Sequence, residues 1–144
     1  MKEYQHKVQY YETDKMQCTH HSNYIRFMEE ARICFMDQLG WSYDKMEKEG
    51  ILSPVLSVAC DYKKNTTFPD IINISIQVLE LSAAKLTLGY TMRVSDDIVC
   101  TASSKHCFLN ETGRPISIKK QYPDFYRLLA SLKAEADAGK AGID

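Results

Sequence analysis

Hydrophobic and polar residues alternate with a period of two in several stretches of the chain, a pattern typical of β-strands. The alternation is most regular over residues 86–94, and it is also present over 4–10 and 72–78. Two further strand-like runs cover 51–64 and 98–109. The sequence therefore predicts a sheet of about five strands.

A helical spacing of hydrophobic residues covers about 22–39 and forms a wide apolar stripe that includes Tyr24, Phe27, Met28, Ala31 and Phe35. A stripe of that width predicts a helix that is largely enclosed by other structure. Gly40 is the expected stop. Shorter helices are predicted over 43–49 and 123–133.

One sheet and one long apolar helix predict an α+β domain in which a curved antiparallel sheet wraps around the helix. The 144 residues suffice for a single domain. We expect that domain over 1–133 and a flexible polar tail over 134–144. Because a single sheet leaves an edge strand unpaired, we also expect a homodimer or a dimer of dimers.

Composition and charge exclude several classes of function. The formal net charge is −1, which gives no field to attract nucleic acid or an anionic membrane. No apolar run approaches the ~20 residues of a membrane span. The five cysteines form no C-x-x-C pair, and the N-terminus carries no signal-like apolar segment. We therefore expect reduced thiols and a cytoplasmic location.

The segment 10–32 carries the candidate chemistry. Asp14 follows a strand and precedes the predicted start of the long helix, where free N–H groups and the positive end of the helix dipole collect. A carboxylate that faces such donors suits attack on an acyl group, because the donors hold the developing oxyanion. The alternative is a helix-capping or turn aspartate.

The pattern resembles the 4-hydroxybenzoyl-CoA thioesterase-like branch of the hotdog-fold acyl-CoA thioesterases. The resemblance covers most of residues 4–127 and rests on Thr13-Asp14, His21, Asn23-Tyr24, Glu29-Glu30-Ala31-Arg32, Asp61-Tyr62-Lys63-Lys64 and Gly113-Arg114-Pro115. It implies a hotdog fold with active sites at a dimer interface and hydrolysis of acyl-CoA without a cofactor. It assigns the catalytic carboxylate to Asp14, the polarising backbone N–H to His21, and a pocket wall to Tyr24.

Two positions depart from the family pattern. Gln17 stands where the family usually has glycine, and we expect it to alter the loop because glutamine resists positive φ. Asn65 replaces a usual proline, and we expect it to reach the neighbouring subunit's site. Candidates for binding the phosphates of coenzyme A, with solvated strand ends as the alternative, are Lys63, Lys64, Lys85, Arg114, Lys119 and Lys120.

Other interpretations of these residues stay open. The imidazole of His21 either has a direct role with the substrate or has no role, in which case the residue contributes only its backbone. A metal site of Asp14, Cys18, His20 and His21 is disfavoured because the spacing matches no closed zinc pattern. Cys18 is a minor candidate nucleophile, while Cys34 is expected to pack as a small hydrophobic residue.

Glu29 and Glu30 either supply a second carboxylate or, as we favour, pair with Arg26 or Arg32.

At the level of function, the alternatives to an acyl-CoA thioesterase are three. They are an acyl-carrier-protein thioesterase, a hotdog hydratase or dehydratase, and a domain that binds acyl-CoA without turnover.

Overall fold

The computed structural model describes residues 1–141 and contains one five-stranded antiparallel sheet and four α-helices within that range. The strands are β1 Tyr4–Lys7, β2 Val55–Tyr62, β3 Ile71–Leu81, β4 Lys85–Val94 and β5 Asp97–Cys107. The helices are α1 Asn23–Gln38, α2 Tyr43–Lys48, α3 Ile118–Gln121 and α4 Pro123–Ala141. A 3₁₀ turn, Tyr10–Glu12, follows β1.

The strand order in the sheet is β1-β3-β4-β5-β2, and every neighbouring pair is antiparallel. In the middle of the sheet, Tyr90 lies opposite Ile76 on β3 and Ala102 on β5. The core forms between the inner face of the sheet and α1, where Phe27 and Met28 are fully buried. This architecture confirms the predicted α+β fold.

The start of α1 is fixed by a side chain rather than by its cap residue. Ser22 makes no side-chain bond to the helix backbone. Instead, Asn23 Nδ2 donates to the carbonyl of Glu12 at 2.9 Å, which ties the helix to the end of the 3₁₀ turn. At the other end, Gly40 has φ +78°, which glycine adopts without steric cost.

Several elements differ from the prediction. β1 ends at Lys7, because the chain then enters the 3₁₀ turn. α3 was not predicted. α4 continues past the expected end near 133 to Ala141, through an alanine-rich segment of high helix propensity. Of the predicted flexible tail, 134–141 is helical and 142–144 lies outside the described residues.

The predicted ion pairs between arginine and Glu29 or Glu30 are not formed in the described part of the chain. Glu30 Oε2 accepts from the Tyr4 hydroxyl at 2.9 Å and lies 3.0 Å from His6 Nδ1. Burial and that carboxylate raise the pKa of Tyr4 to about 12. Arg32 points into the core, so it cannot pair along the helix surface.

Within residues 1–141, no helix has the length and apolar character needed to cross a membrane.

Candidate active site

A cavity of about 270 Å³ lies where the start of α1, the loop before it and the end of β2 meet. It brings together six of the candidate site residues: Asp14, Cys18, His21, Tyr24, Lys64 and Asn65. The other lining residues are Met16, Thr19 and Tyr62.

The loop that carries Asp14 is closed like a short hairpin. Thr13 and Thr19 form a bridge, and Asp14 N–H donates to the carbonyl of Cys18 at 2.8 Å. One carboxylate oxygen, Oδ1, accepts from the backbone N–H of Met16 at 2.8 Å. The second oxygen has no hydrogen-bond partner among the described residues. Asp14 therefore has a turn-forming role and still offers one oxygen for chemistry.

Gln17 occupies the left-handed region with φ +64°, so glutamine does not prevent a positive φ at this position of the loop. Its N–H donates to the carbonyl of Asp14 at 2.9 Å, and its own carbonyl accepts from the hydroxyl of Thr67 at 2.5 Å. These bonds hold the backbone in a conformation that glutamine alone disfavours. Gln17 is exposed and does not line the cavity.

The first residues before α1 leave one donor free. The N–H of His20 donates to the carbonyl of Glu12 at 2.8 Å. The N–H of His21 has no acceptor in the part of the chain that the structure describes. His21 lies just before α1, at the end where the positive pole of the helix dipole falls.

Tyr62 holds the peptide that follows this donor. Its hydroxyl donates to the carbonyl of His21 at 3.1 Å, and that carbonyl also accepts from Tyr24 N–H. The rings of Tyr24 and Tyr62 meet edge to face, with centroids 5.1 Å apart. Sequence reasoning missed the role of Tyr62, although the residue belongs to the Asp61–Lys64 segment that carries the resemblance.

Tyr24 forms the buried wall of the cavity. Its hydroxyl bonds to Thr66 Oγ1 at 2.9 Å, and Thr66 bonds in turn to Thr19 Oγ1 at 2.6 Å. Burial raises the pKa of Tyr24, which keeps the phenol neutral. Because its hydroxyl is engaged by Thr66, Tyr24 contributes its ring to the cavity.

The two histidines project towards solvent. The rings of His20 and His21 stack at 4.3 Å, and His20 Nδ1 bonds to the hydroxyl of Ser22. No group of three or more metal-ligating side chains is present within the described residues.

The predicted cations are scattered over the protomer. Lys64 lines the cavity and pairs with Asp97 at 3.3 Å. Lys63 is exposed and adjacent to it in sequence. Lys85 begins β4 and lines a different cavity, and Arg114 follows an exposed turn. Lys63, Lys85 and Arg114 do not line the cavity that contains Asp14.

Sequence reasoning also missed Cys60. Its thiol lies 3.6 Å from Met28 Sδ and is half-buried between β2 and α1. The neighbouring Cys100 thiol outweighs burial and lowers the pKa of Cys60 to about 7. Cys34 is half-buried and accepts a bond from Gln38, as expected of a packed thiol at the edge of the helix stripe.

The antiparallel sheet, the helix that it encloses and the loop before that helix, which carries Asp14, define a hotdog-fold protein. The family model described as the thioesterase-like superfamily matches residues 8–134. The chain belongs to that superfamily.

Two relatives and one solved structure agree with this assignment. "Putative esterase" of Aquifex aeolicus (strain VF5) is 37% identical over 118 residues, covering 82% of this chain and 91% of the relative. "Putative acyl-CoA thioesterase YneP" of Bacillus subtilis (strain 168) is 32% identical over 122 residues, covering 83% of this chain and 88% of the relative. The crystal structure of a DHNA-CoA thioesterase from Staphylococcus aureus superimposes with a TM-score of 0.88 at 29% identity, covering 96% of this chain and 94% of that chain.

Proposed function

We propose that the protein is an acyl-CoA thioesterase, which hydrolyses a thioester to a free acid and coenzyme A. The proposal is carried by one juxtaposition at the start of α1: Asp14 and His21 line the same cavity, and the backbone N–H of His21 has no acceptor among the described residues. The thioesterases among the similar proteins, in Bacillus subtilis and Staphylococcus aureus, support a coenzyme A ester as the substrate.

The free oxygen of Asp14 has two routes to hydrolysis. As a general base, it takes a proton from water, and the hydroxide attacks the thioester carbonyl and expels the thiolate. As a nucleophile, it attacks the carbonyl itself and forms a mixed anhydride that water then cleaves. Both routes consume one water and release one acid and one thiol.

The N–H of His21 stabilises the negative charge that develops on the carbonyl oxygen in either route. Tyr62 acts as a positioning residue, because its bond to the His21 carbonyl fixes the peptide that follows that donor. The ring of Tyr24 closes the inner wall and leaves room for the acyl group on the open side of the cavity.

We further propose that the protein forms the dimer that the resemblance implies, and that the two copies pair through β2. This strand is the free edge beside β5, and its apolar side chains Val55, Leu56 and Val58 are exposed in the protomer. An exposed apolar edge invites pairing with a second copy. Pairing there would cover Tyr62 and enclose the cavity, with Asn65 near the seam.

The coenzyme A moiety needs cations for its phosphates. We propose Lys63 for this role, because it is exposed, follows β2 and is adjacent in sequence to Lys64, which lines the cavity. The substrate-binding roles of Gln17, Lys85 and Arg114 stay predictions.

The decisive experiment replaces Asp14 by asparagine and measures thiol release from a panel of acyl-CoA esters. We expect kcat/KM to fall by about 10²–10⁴, the usual contribution of a general acid or base. Asp37→Asn is the matched control, because Asp37 is an exposed aspartate near the far end of α1. Near-normal turnover by Asp14→Asn would disprove the proposal, as would an equal loss in the control.

A further inference from the structure

A cluster of charged side chains surrounds the 3₁₀ turn that leads to Asp14, and His6 on β1 is its centre. Nε2 of His6 lies 2.8 Å from Glu12 Oε1, and Nδ1 lies 3.0 Å from Glu30 Oε2. The side chains of His6 and Glu12 are only 11% and 7% exposed. The His6 ring also packs on the core residue Phe27, with ring centroids 4.1 Å apart. The proposed thioester chemistry uses none of these side chains.

The surroundings of His6 hold it as an imidazolium. Glu12 Oε1 accepts from the backbone N–H of Gln9 at 2.7 Å, and Glu30 Oε2 accepts from the Tyr4 hydroxyl at 2.9 Å. Both oxygens are therefore acceptors, so a neutral imidazole would turn a lone pair towards one of them. With both nitrogens protonated, His6 gives the buried Glu12 carboxylate a cation. No other cation among the described residues pairs with that carboxylate.

The backbone of Glu12 fixes the start of α1. Its carbonyl accepts from His20 N–H at 2.8 Å and from Asn23 Nδ2 at 2.9 Å. These two residues flank His21, whose N–H is the proposed oxyanion donor. Asp14 follows Glu12 by two residues. Glu12 is thus connected to both groups of the proposed site, to the carboxylate through the chain and to the donor through its carbonyl.

We propose that His6 is a positioning residue for thioester hydrolysis and acts through its buried ion pair with Glu12. The pair fixes the distance between the Asp14 carboxylate and the His21 N–H. This inference rests on the proposed function. A buried carboxylate without its cation is costly, so in the absence of His6 the Glu12 side chain turns towards water and displaces the 3₁₀ turn. Misplacement of reacting groups by about 1 Å can lower a rate about 10²-fold.

The first measurement is spectroscopic and needs no substrate. The chain has four histidines, so full-length protein labelled with ¹⁵N-histidine gives four backbone amide resonances. His6→Gln should shift the amide resonances of His20 and His21. His106 lies on β5 outside the cluster, so its amide resonance is the internal control and should stay in place. In the unsubstituted protein, both ring nitrogens of His6 should be protonated. A neutral His6 ring, or unshifted amides of His20 and His21, would overturn the proposal.

The second measurement is steady-state hydrolysis of an acyl-CoA ester. We expect His6→Gln to lower kcat about tenfold or more and to change KM less than about twofold, because the substrate still binds while the reacting groups are misplaced. Adding Glu12→Gln should raise kcat again by about fivefold, because the double variant buries no unpaired charge. A residue that serves stability alone would lower the melting temperature and leave kcat of the folded enzyme unchanged. Should His6→Gln not fold, Glu12→Gln alone removes the same ion pair and should lower kcat with KM unchanged.

Asp44→Asn is the matched control, because it breaks an exposed ion pair with Lys48 on α2. It should leave kcat and the histidine resonances unchanged. An equal loss of kcat in this control, or a double variant as slow as His6→Gln, would overturn the proposal. Near-normal turnover by Asp14→Asn would instead disprove the proposed hydrolysis, while the amide resonances still report whether His6 positions His21. Unshifted resonances together with an inactive Asp14→Asn would remove the positioning role alone.

Discussion

His106 on β5, which is 3% exposed, makes a quantitative prediction about stability and pH. In the unfolded chain, His106 takes up a proton near pH 6.5, whereas in the folded protein burial and Arg32 lower its pKa to about 4. Between these values the unfolded state binds more protons, so the free energy of unfolding falls as the pH is lowered. One pKa unit corresponds to about 1.36 kcal/mol, so the loss is about 2 kcal/mol by pH 5 and about 3 kcal/mol by pH 4.

The substitution His106→Gln isolates the contribution of His106 to the pH dependence of the free energy of unfolding. Glutamine stays neutral, and its amide can bond to Ser104 in place of Nε2. Urea unfolding is measured from pH 7 to pH 4 at one fixed protein concentration for both proteins. The single tryptophan, Trp41, reports the transition because it stacks on Phe125 at 4.9 Å.

The other titrating groups are common to the two proteins, so their contributions largely cancel in the difference. At pH 7 the variant is expected to be the less stable protein, since it packs less well. Towards pH 4 the difference should shrink or reverse by about 3 kcal/mol. Parallel pH profiles would refute the assignment of His106 as a buried neutral group.

Three further predictions concern the loop, the sheet edge and the thiol. Gln17→Gly should raise the free energy of unfolding by about 1 kcal/mol in urea titrations, because it relieves a positive φ; an unchanged midpoint would contradict this. Val58→Lys should convert the proposed dimer to a monomer in sedimentation velocity, because a charge opposes pairing of the exposed edge. A variant that stays dimeric would place the interface elsewhere. Cys60 should be alkylated by iodoacetamide faster than Cys100 in peptide mass spectra, at a rate that falls as pH drops below about 7. Equal rates for the two thiols would refute this.

The strands and the long helix could be predicted because their patterns are local. In β4, the alternation of Leu86, Leu88 and Tyr90 with polar neighbours reports one buried face directly. In α1, the buried residues recur at helical spacing, and this stripe likewise marks the face of the helix that is buried. Boundaries were less accurate where a turn interrupts the pattern, as in the 3₁₀ turn after β1.

The site was predicted only where its residues are close in sequence. Asp14 and His21 lie seven residues apart, and the helix start joins them. Tyr62 reaches the His21 carbonyl from 41 residues away. Arg32 meets Tyr90 across 58 residues, and helical spacing alone suggested an ion pair instead. Such contacts depend on which strand lies next to which helix, and no local pattern encodes that.

The positive φ of Gln17 has a consequence for how relatives of this protein are recognised. A search pattern that demands glycine three positions after the aspartate would reject this chain, although its backbone makes the left-handed turn with glutamine. The turn is held by the Thr67 hydroxyl, which donates to the Gln17 carbonyl, and by the Asp14 carbonyl, which accepts from the Gln17 N–H. A better diagnostic of this loop is therefore Thr67, the partner that anchors it from another part of the chain.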